Sequence, residues 1–178
     1  MTVGTSLAAV TLAGLCVLTM PARVSAQIEK GDKSFQLQGE YIQVVSPNSQ
    51  DPSGTIVGQF GYYMTRNLGL KGTAGLIFAG SDVGYIVGAG GEWNFGAKGS
   101  TTVPYAKLDV LDFKVDMLNL LMLSPGGGVR FFLSRQTAFD VTASYNLAIA
   151  SFQGGKADGG AIQVLLGFSY FFGGGDRR

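Results

Sequence analysis

The sequence contains no histidine, and its only cysteine, Cys16, lies in an apolar N-terminal run. Histidine is the usual catalytic base in hydrolases, and histidine and cysteine are the common zinc ligands. A Ser-His pair, an Asp-His water activator and a His/Cys zinc site are therefore excluded from the rest of the chain. Asp140, Thr142 and Ser144 share one strand face, but without a histidine they are better interpreted as packing residues. We expect no enzymatic activity and no cofactor.

Charge is also scarce. Only 14% of the residues are charged and the formal net charge is +1, whereas an average soluble domain has about 25% charged residues. The sequence has no basic excess of the kind that nucleic-acid binding requires. Five prolines and 11% aromatic residues argue against disorder. The composition favours an ordered chain that is atypical of soluble domains.

Long apolar runs are absent except at the N terminus. The segment TSLAAVTLAGLCVLTMPARVSA ends on small residues before a polar stretch, and it predicts a cleaved signal peptide over residues 1–26. A transmembrane anchor is less favoured because the run is short and is interrupted by Gly14 and Pro21. The remaining residues are the size of one domain, predicted to comprise a barrel over 27–172 and a flexible tail over 173–178.

The sequence is rich in strict alternation of polar and apolar residues. In AFDVTASYNLAI (138–149) one parity is apolar and the other polar, which is the pattern of a strand with two different faces. Eight such segments follow one another, separated by turn-type residues, at 34–45, 54–64, 68–79, 83–95, 102–113, 121–133, 137–149 and 161–172. They predict an all-β, eight-stranded antiparallel up-and-down β-barrel, and the connections, aromatic residues and charges of the chain predict a transmembrane β-barrel. Around 111–125 the period is blurred, so a longer loop and a strand extension both stay open there.

The connections and aromatic residues indicate which face meets lipid. TRN (65–67), GAKGST (96–101) and SRQ (134–136) are short, SPNSQDPS (46–53) and SFQGGKADGG (151–160) are longer, and AGSD (79–82) is a short exception. Outer-membrane barrels have short periplasmic turns, longer external loops and aromatic girdles at both interfaces. The predicted periplasmic girdle includes Tyr62, Trp93, Phe95, Phe131 and Phe139, and Tyr41, Phe78, Tyr85, Phe113 and Tyr145 fall toward the other rim.

Charged residues within the strands share the small-residue parity, which faces the lumen if the apolar parity faces lipid. They are Glu40, Lys71, Glu92, Lys107, Asp109, Arg130 and Asp140. Their signs alternate between neighbouring strands, so we expect the pairs Lys71–Glu92, Glu92–Lys107, Asp109–Arg130 and Arg130–Asp140, with Glu40 and Gln163 closing the ring. Eight strands leave an interior just wide enough for side chains. The sequence therefore predicts a lumen plugged by ion pairs.

Three segments carry a family resemblance: GYYMTRNLGLKG (61–72), GGGVRFFLSRQTAFDVTASY (126–145) and GFSYFF (167–172). The chain resembles the small eight-stranded outer-membrane barrels, which include the OmpA-like membrane domain and the OmpX-like proteins. The resemblance implies outer-membrane localisation, outer-membrane lipid as surroundings, and an assembly-machinery signal at Gly167, Tyr170 and Phe172. Leu165 stands where that signal usually has a polar residue, and GGGDRR follows Phe172 where the family usually stops.

Three functional readings stay open. The first is a structural or surface-interaction (adhesin-like) barrel, whose extracellular partner the sequence does not identify. The second is a narrow, porin-like solute conduit, which requires the ion-pair layer to open. The third is a soluble, lipocalin-like periplasmic ligand-binding barrel, but the Gly-x-Trp of that class belongs near the first strand, and here Gly91-Glu92-Trp93 lies in the fourth.

Overall fold

The computed structural model describes residues 28–42, 53–115, 118–151 and 160–173. Eight strands make up most of these residues: β1 (Lys33–Ile42), β2 (Ser53–Tyr63), β3 (Leu68–Ala79), β4 (Asp82–Asn94), β5 (Thr102–Val115), β6 (Leu118–Phe132), β7 (Thr137–Ser151) and β8 (Gly160–Phe172). In this described part of the chain, no helix is long and apolar enough to cross a membrane.

The strands form a closed antiparallel barrel in the order β1 to β8. The last strand pairs with the first, from Lys33 opposite Phe172 to Gly39 opposite Leu166, so the sheet has no free edge to offer to another chain. The predicted fold is confirmed, with strand ends within three residues of those expected where they are described. The predicted signal peptide (1–26), the last residues predicted for the first strand (43–45) and the tail beyond Gly173 lie outside the described residues.

The segment with the blurred period is a strand extension. β5 continues to Val115 and β6 begins at Leu118, and the two pair throughout, ending with Val115 opposite Leu118. The alternation is blurred because, along β5, the inner face changes from polar to apolar and the outer face changes from apolar to polar. Val110 is exposed on the outer face, whereas the next residue, Leu111, is buried inside. Beyond this point the inner face stays apolar and the outer face carries Asp112 and Lys114.

The pairing of β6 with β7 is irregular near the middle of β6. Register pairs run to Leu123 opposite Leu147 and resume at Gly126 opposite Ser144, and the register shifts between Leu121 and Met122. Pro125 lies in the interrupted stretch and has no N–H to contribute to a ladder. A side-chain bond spans this part of the seam instead, since Ser124 Oγ donates to Asn146 Oδ1 at 2.6 Å.

The barrel is polar inside and apolar outside. Buried side chains include many polar and charged ones, whereas large apolar side chains on the outer face, such as Leu37, Phe60 and Leu166, are about half exposed. A soluble calyx would bury the apolar set, but here it forms an outward belt of the kind that transmembrane barrels turn to lipid. The apolar parity of the sequence therefore faces lipid, as predicted.

Because the outer face meets lipid, an arginine introduced in the middle of a strand on that face should destabilise the barrel more than one introduced in a turn. Leu166 lies midway along β8 on the outer face, and Met64 lies in the turn after β2. We expect Leu166→Arg to lower the free energy of unfolding by about 2 to 4 kcal/mol and the control Met64→Arg by about 0 to 1 kcal/mol. Equilibrium denaturant unfolding in lipid vesicles measures both values. Equal costs at the two positions would contradict the lipid-facing belt.

Candidate functional site

The lumen contains the predicted charged residues, and an apolar cluster closes its periplasmic end. Ile28, Tyr63, Val103, Phe132, Ala138 and Phe171 are all buried and pack together. The segment before β1 is tied to the barrel wall because Gly31 N–H donates to the Tyr63 carbonyl and Tyr63 N–H donates to the Asp32 carbonyl, each at 2.8 Å. This end of the barrel is therefore filled by side chains from five strands and by Ile28.

Arg130 is the hub of the charged layer above this cluster. Its Nε donates to Asp140 Oδ1 at 2.8 Å, and its Nη1 and Nη2 donate to the two Glu92 carboxylate oxygens at 2.9 and 3.2 Å. The Arg130 side chain is 1% exposed and both carboxylates are fully buried. The guanidinium fork suits this bidentate contact because its donors are planar and fixed. One buried cation thereby joins the walls formed by β4, β6 and β7.

Further side chains complete the hydrogen bonding of this layer. Glu92 also pairs with Lys71, whose Nζ donates to Gln36 Oε1 at 3.0 Å. Asp140 accepts a second bond from Ser169 Oγ at 2.5 Å. Buried ions require such partners because desolvation is costly. The layer thus spans β1, β3, β4, β6, β7 and β8 and leaves its charges paired.

Two tyrosines project into the lumen beside Arg130. Tyr63 Oη donates to Glu92 Oε1 at 2.9 Å, and the Tyr105 ring centroid lies 4.9 Å from the guanidinium carbon. Glycines on adjacent strands make the room: a Cβ at Gly69 would lie 2.8 Å from the Tyr63 ring, and one at Gly128 would lie 2.7 Å from Tyr105 Oη. These close approaches explain why glycine occupies lumen-facing positions in β3 and β6.

The predicted charged residues all lie on the inner face, but two of the expected pairings differ. Lys71 contacts Glu92 and Arg130 contacts Asp140, as expected. Lys107 does not pair with Glu92; its Nζ lies 2.7 Å from Asp109 Oδ2, two residues along the same strand. Arg130 does not pair with Asp109, because its donors are engaged by Glu92 and Asp140. Alternate residues of a strand point to one face, so a same-strand pair was available to Lys107.

A second polar group lies nearer the external end. Ser124 Oγ donates to Asn146, Asn146 Nδ2 donates to Gln163 Oε1 at 3.1 Å, and Gln163 Nε2 donates to Glu40 Oε2 at 2.7 Å. The chain of bonds connects β6, β7, β8 and β1. Glu40 and Gln163 thus lie together as expected, and the ring is closed on this side by hydrogen bonds.

The predicted interface aromatics lie on the outer face, with one exception in the external set. Tyr62, Trp93 and Phe95 are about half exposed, and Phe131 and Phe139 are half-buried. Phe78, Tyr85 and Tyr145 are exposed toward the external end, and the Tyr41 side chain lies outside the described residues. Phe113 was wrongly assigned to the external girdle, since it packs on an inner apolar cluster. The exchange of face character along β5 explains that error.

The predicted assembly residues lie at the closure of the barrel. Gly167 is buried on the inner face opposite Gln38, Tyr170 is exposed, and its ring stacks on Phe172 at 6.0 Å. Phe172 also contacts Phe60 of β2, with ring centroids 6.2 Å apart. Leu165, which departs from the family pattern, is buried on the inner face.

Several inner residues were not singled out from the sequence. Tyr63, Tyr105 and Phe171 lie on the polar, inward-facing parity of their strands. Because aromatic residues are counted as apolar, the alternation pattern does not show that they face inward. The signal that could have found them is the pairing of an inward tyrosine with glycines at inward positions on the neighbouring strand. The described residues contain no group of three or more acidic or sulfur ligands placed to hold a metal ion.

Because Arg130 pairs with two buried carboxylates, replacing Arg130 alone should destabilise the barrel. Arg130→Met leaves Glu92 and Asp140 buried beside each other without their shared cation, so we expect the free energy of unfolding to fall by about 3 to 5 kcal/mol. Denaturant unfolding in lipid vesicles, followed by Trp93 fluorescence, measures it. The double variant Arg130→Met, Asp140→Asn, which keeps the Lys71–Glu92 pair, should recover part of the loss. A loss no larger than that of the exposed control Lys98→Met would refute the hub.

Comparison with known proteins supports the fold. No family model matches the sequence, and no curated protein does. The N-terminal β-barrel domain of Pseudomonas aeruginosa OprF is 13% identical, with 82% of this chain and 100% of that chain covered and a TM-score of 0.64. Neisserial surface protein A is 17% identical, with 79% and 99% covered and a TM-score of 0.60.

The Yersinia pestis outer membrane protein Ail is 14% identical, with 80% of this chain and 100% of that chain covered and a TM-score of 0.52. At these identities the likeness concerns the fold. Together with the apolar exterior, it confirms the predicted fold type and the membrane in which such barrels are found. The chain is an eight-stranded transmembrane β-barrel of the kind that bacterial outer membranes contain.

Proposed function

We propose that this protein is a non-enzymatic, non-conducting outer-membrane barrel with a structural or surface-interaction role. The observation that carries the proposal is the double closure of the lumen. The apolar cluster fills the periplasmic end, and the layer around Arg130 crosses the barrel above it. Because an eight-stranded barrel is only wide enough for its own side chains, two such layers leave no path for a hydrated solute.

The inner polar residues also support a non-enzymatic role. Asp140 is occupied by Arg130 and Ser169, and Thr142 accepts a hydrogen bond from Gln38 Nε2 at 2.8 Å and lies 2.5 Å from Tyr105 Oη. A general base needs a free acceptor aimed at a substrate proton. These groups are instead paired with one another inside the barrel, and the sequence has no histidine.

A role at the cell surface would be performed by the external end. The sequence places polar, weakly charged loops at 46–53 and 151–160, and residues 43–52, 116–117 and 152–159 lie outside the described ranges. Outer-face Lys114 of β5 stands opposite Asn119 of β6 and opposite Tyr85 of the external girdle. This polar end supports a barrel that presents its β5–β6 hairpin to water above the membrane.

Closure predicts the electrical behaviour of the folded protein. We expect the wild type to give no steady conductance in planar lipid bilayers. The variant Glu92→Ala, Arg130→Ala, Phe171→Ala removes one acid, one base and one large ring from the two layers, so it should conduct. A heat-dependent electrophoretic shift verifies that each preparation is folded. Steady conductance by the folded wild type would overturn the proposal and favour the narrow conduit.

We further propose that Gly167, Tyr170 and Phe172 form the signal that the assembly machinery binds, as the family resemblance implies. The contact between Phe172 and Phe60 offers a competing, purely structural role for Phe172. The two roles separate experimentally because refolding into vesicles needs no machinery, whereas insertion in cells does.

Phe172→Ala should therefore reduce the amount of protein in the outer membrane of cells more than Phe60→Ala does. Both variants remove the contact between Phe60 and Phe172, but Phe172→Ala also removes the stacking on Tyr170, so the cellular amount of each variant is divided by its own refolding yield in vesicles. Heat-modifiable protein is quantified in the membrane fraction and in the vesicles. Equal cellular losses for the two variants would contradict a signal at Phe172.

A further inference from the structure

The external half of the lumen differs from the half below it. Val57, Ile77, Ile86 and Leu111 are buried on the inner face and pack together, with Phe113, Val115 and Met122 against them. Interiors of transmembrane barrels are ordinarily polar, and here the periplasmic half contains the buried ion pairs. The ion pairs around Arg130 and the periplasmic cluster therefore do not account for the apolar inner surface of the external half.

This surface borders a cavity of about 390 Å³. Ile77, Ile86, Phe113, Leu120 and Met122 line it from β3 to β6, whereas Thr55, Asn146 and Gln163 line it from β2, β7 and β8. The cavity thus has an apolar wall that faces a hydrogen-bonding wall. The Arg130 layer and the apolar cluster lie on its periplasmic side, so side chains fill the lumen below the cavity.

The polar wall borders a carboxylate with no cationic partner in the described part of the chain. Glu40 stands opposite Thr55 in the register and accepts a bond from Gln163. The four ion pairs of the described residues join Lys71, Lys107 and Arg130 to Glu92, Asp109 and Asp140, and none includes Glu40. These inner charges balance as three positive and three negative, which leaves the charge of Glu40 in excess.

We propose that the external half of the lumen binds a small amphipathic cation, a molecule with an apolar body and a protonated amine. The body would fill the cavity against Ile77, Ile86 and Met122, where apolar burial favours binding. The amine would donate to Glu40 beside Gln163, in a charge-assisted hydrogen bond. A neutral head would leave the carboxylate uncompensated, and an anionic head would be repelled by it. This site does not depend on the proposed surface role.

The test uses three probes with the same eight-carbon chain and different heads: n-octylammonium, 1-octanol and octanoate. The folded protein in lipid nanodiscs carries ¹³C-methyl methionine. The Met122 methyl lies at the cavity, and Met64 lies in a turn at the other end of the barrel. We expect n-octylammonium to shift the Met122 signal saturably and to leave Met64 unchanged, with weaker binding of the other two probes.

Matched variants separate binding in the cavity from partition into lipid. Ala148 lines the cavity, whereas Ala143 of the same strand faces outward. Ala148→Phe should abolish the saturable shift, and Ala143→Phe should retain it. Glu40→Gln should weaken n-octylammonium binding about tenfold or more, the size expected for a lost charge-assisted bond.

Three results would overturn the proposal: no saturable Met122 shift, equal affinity for the three probes, or unchanged affinity in Glu40→Gln. Failure of this test is distinct from failure of the proposed function, because a conducting wild type would be seen in bilayers whatever the probes do. The Met122 signal of Ala143→Phe serves as the check that a folded barrel was titrated.

Discussion

Closure of the backbone ladder in lipid is the constraint on which the rest of this structure depends. Hydrocarbon supplies no hydrogen-bond partners, so every strand must be paired on both sides within the membrane. The pairing of β1 with β8 meets this requirement, and it uses the two ends of the described chain. Closure with eight strands then fixes a narrow interior. Side-chain size and charge inside the barrel are consequences of that width.

The narrow interior explains how charge and glycine are distributed. Arg130 lies where a single guanidinium can reach Glu92 on β4 and Asp140 on β7, and a second cation, Lys71, shares Glu92. Tyrosine rings fit beside this group only because glycines face them across the ladder. Buried ion pairs contribute little net stability compared with well-packed apolar groups, but each charge requires its partner once it is there. The layer is best understood as a filled cross-section whose members depend on one another.

The two halves of the lumen follow different chemistry. Toward the periplasm, charges are paired and an apolar cluster closes the end, whereas toward the outside an apolar wall faces amide side chains and Glu40. β5 follows the same difference between the two halves of the lumen. Toward its external end the inner face becomes apolar and the outer face becomes polar. One barrel can therefore be filled by side chains toward the periplasm and still contain a cavity in its external half.

The sequence by itself determined the strand number, the face that meets lipid and the set of inward charges, because alternation with period two needs only the order of residues. Tyr62, Trp93 and Leu166 could be placed on the outer face in this way, and Glu92 and Arg130 on the inner face. Only the tertiary structure decided which charges touch, since the stagger between strands and the reach of each side chain set those distances. Lys107 thus pairs with Asp109 on its own strand, and Phe113, which has the inward parity of Asp109, packs against the inner cluster of Val57, Ile77, Ile86 and Leu111.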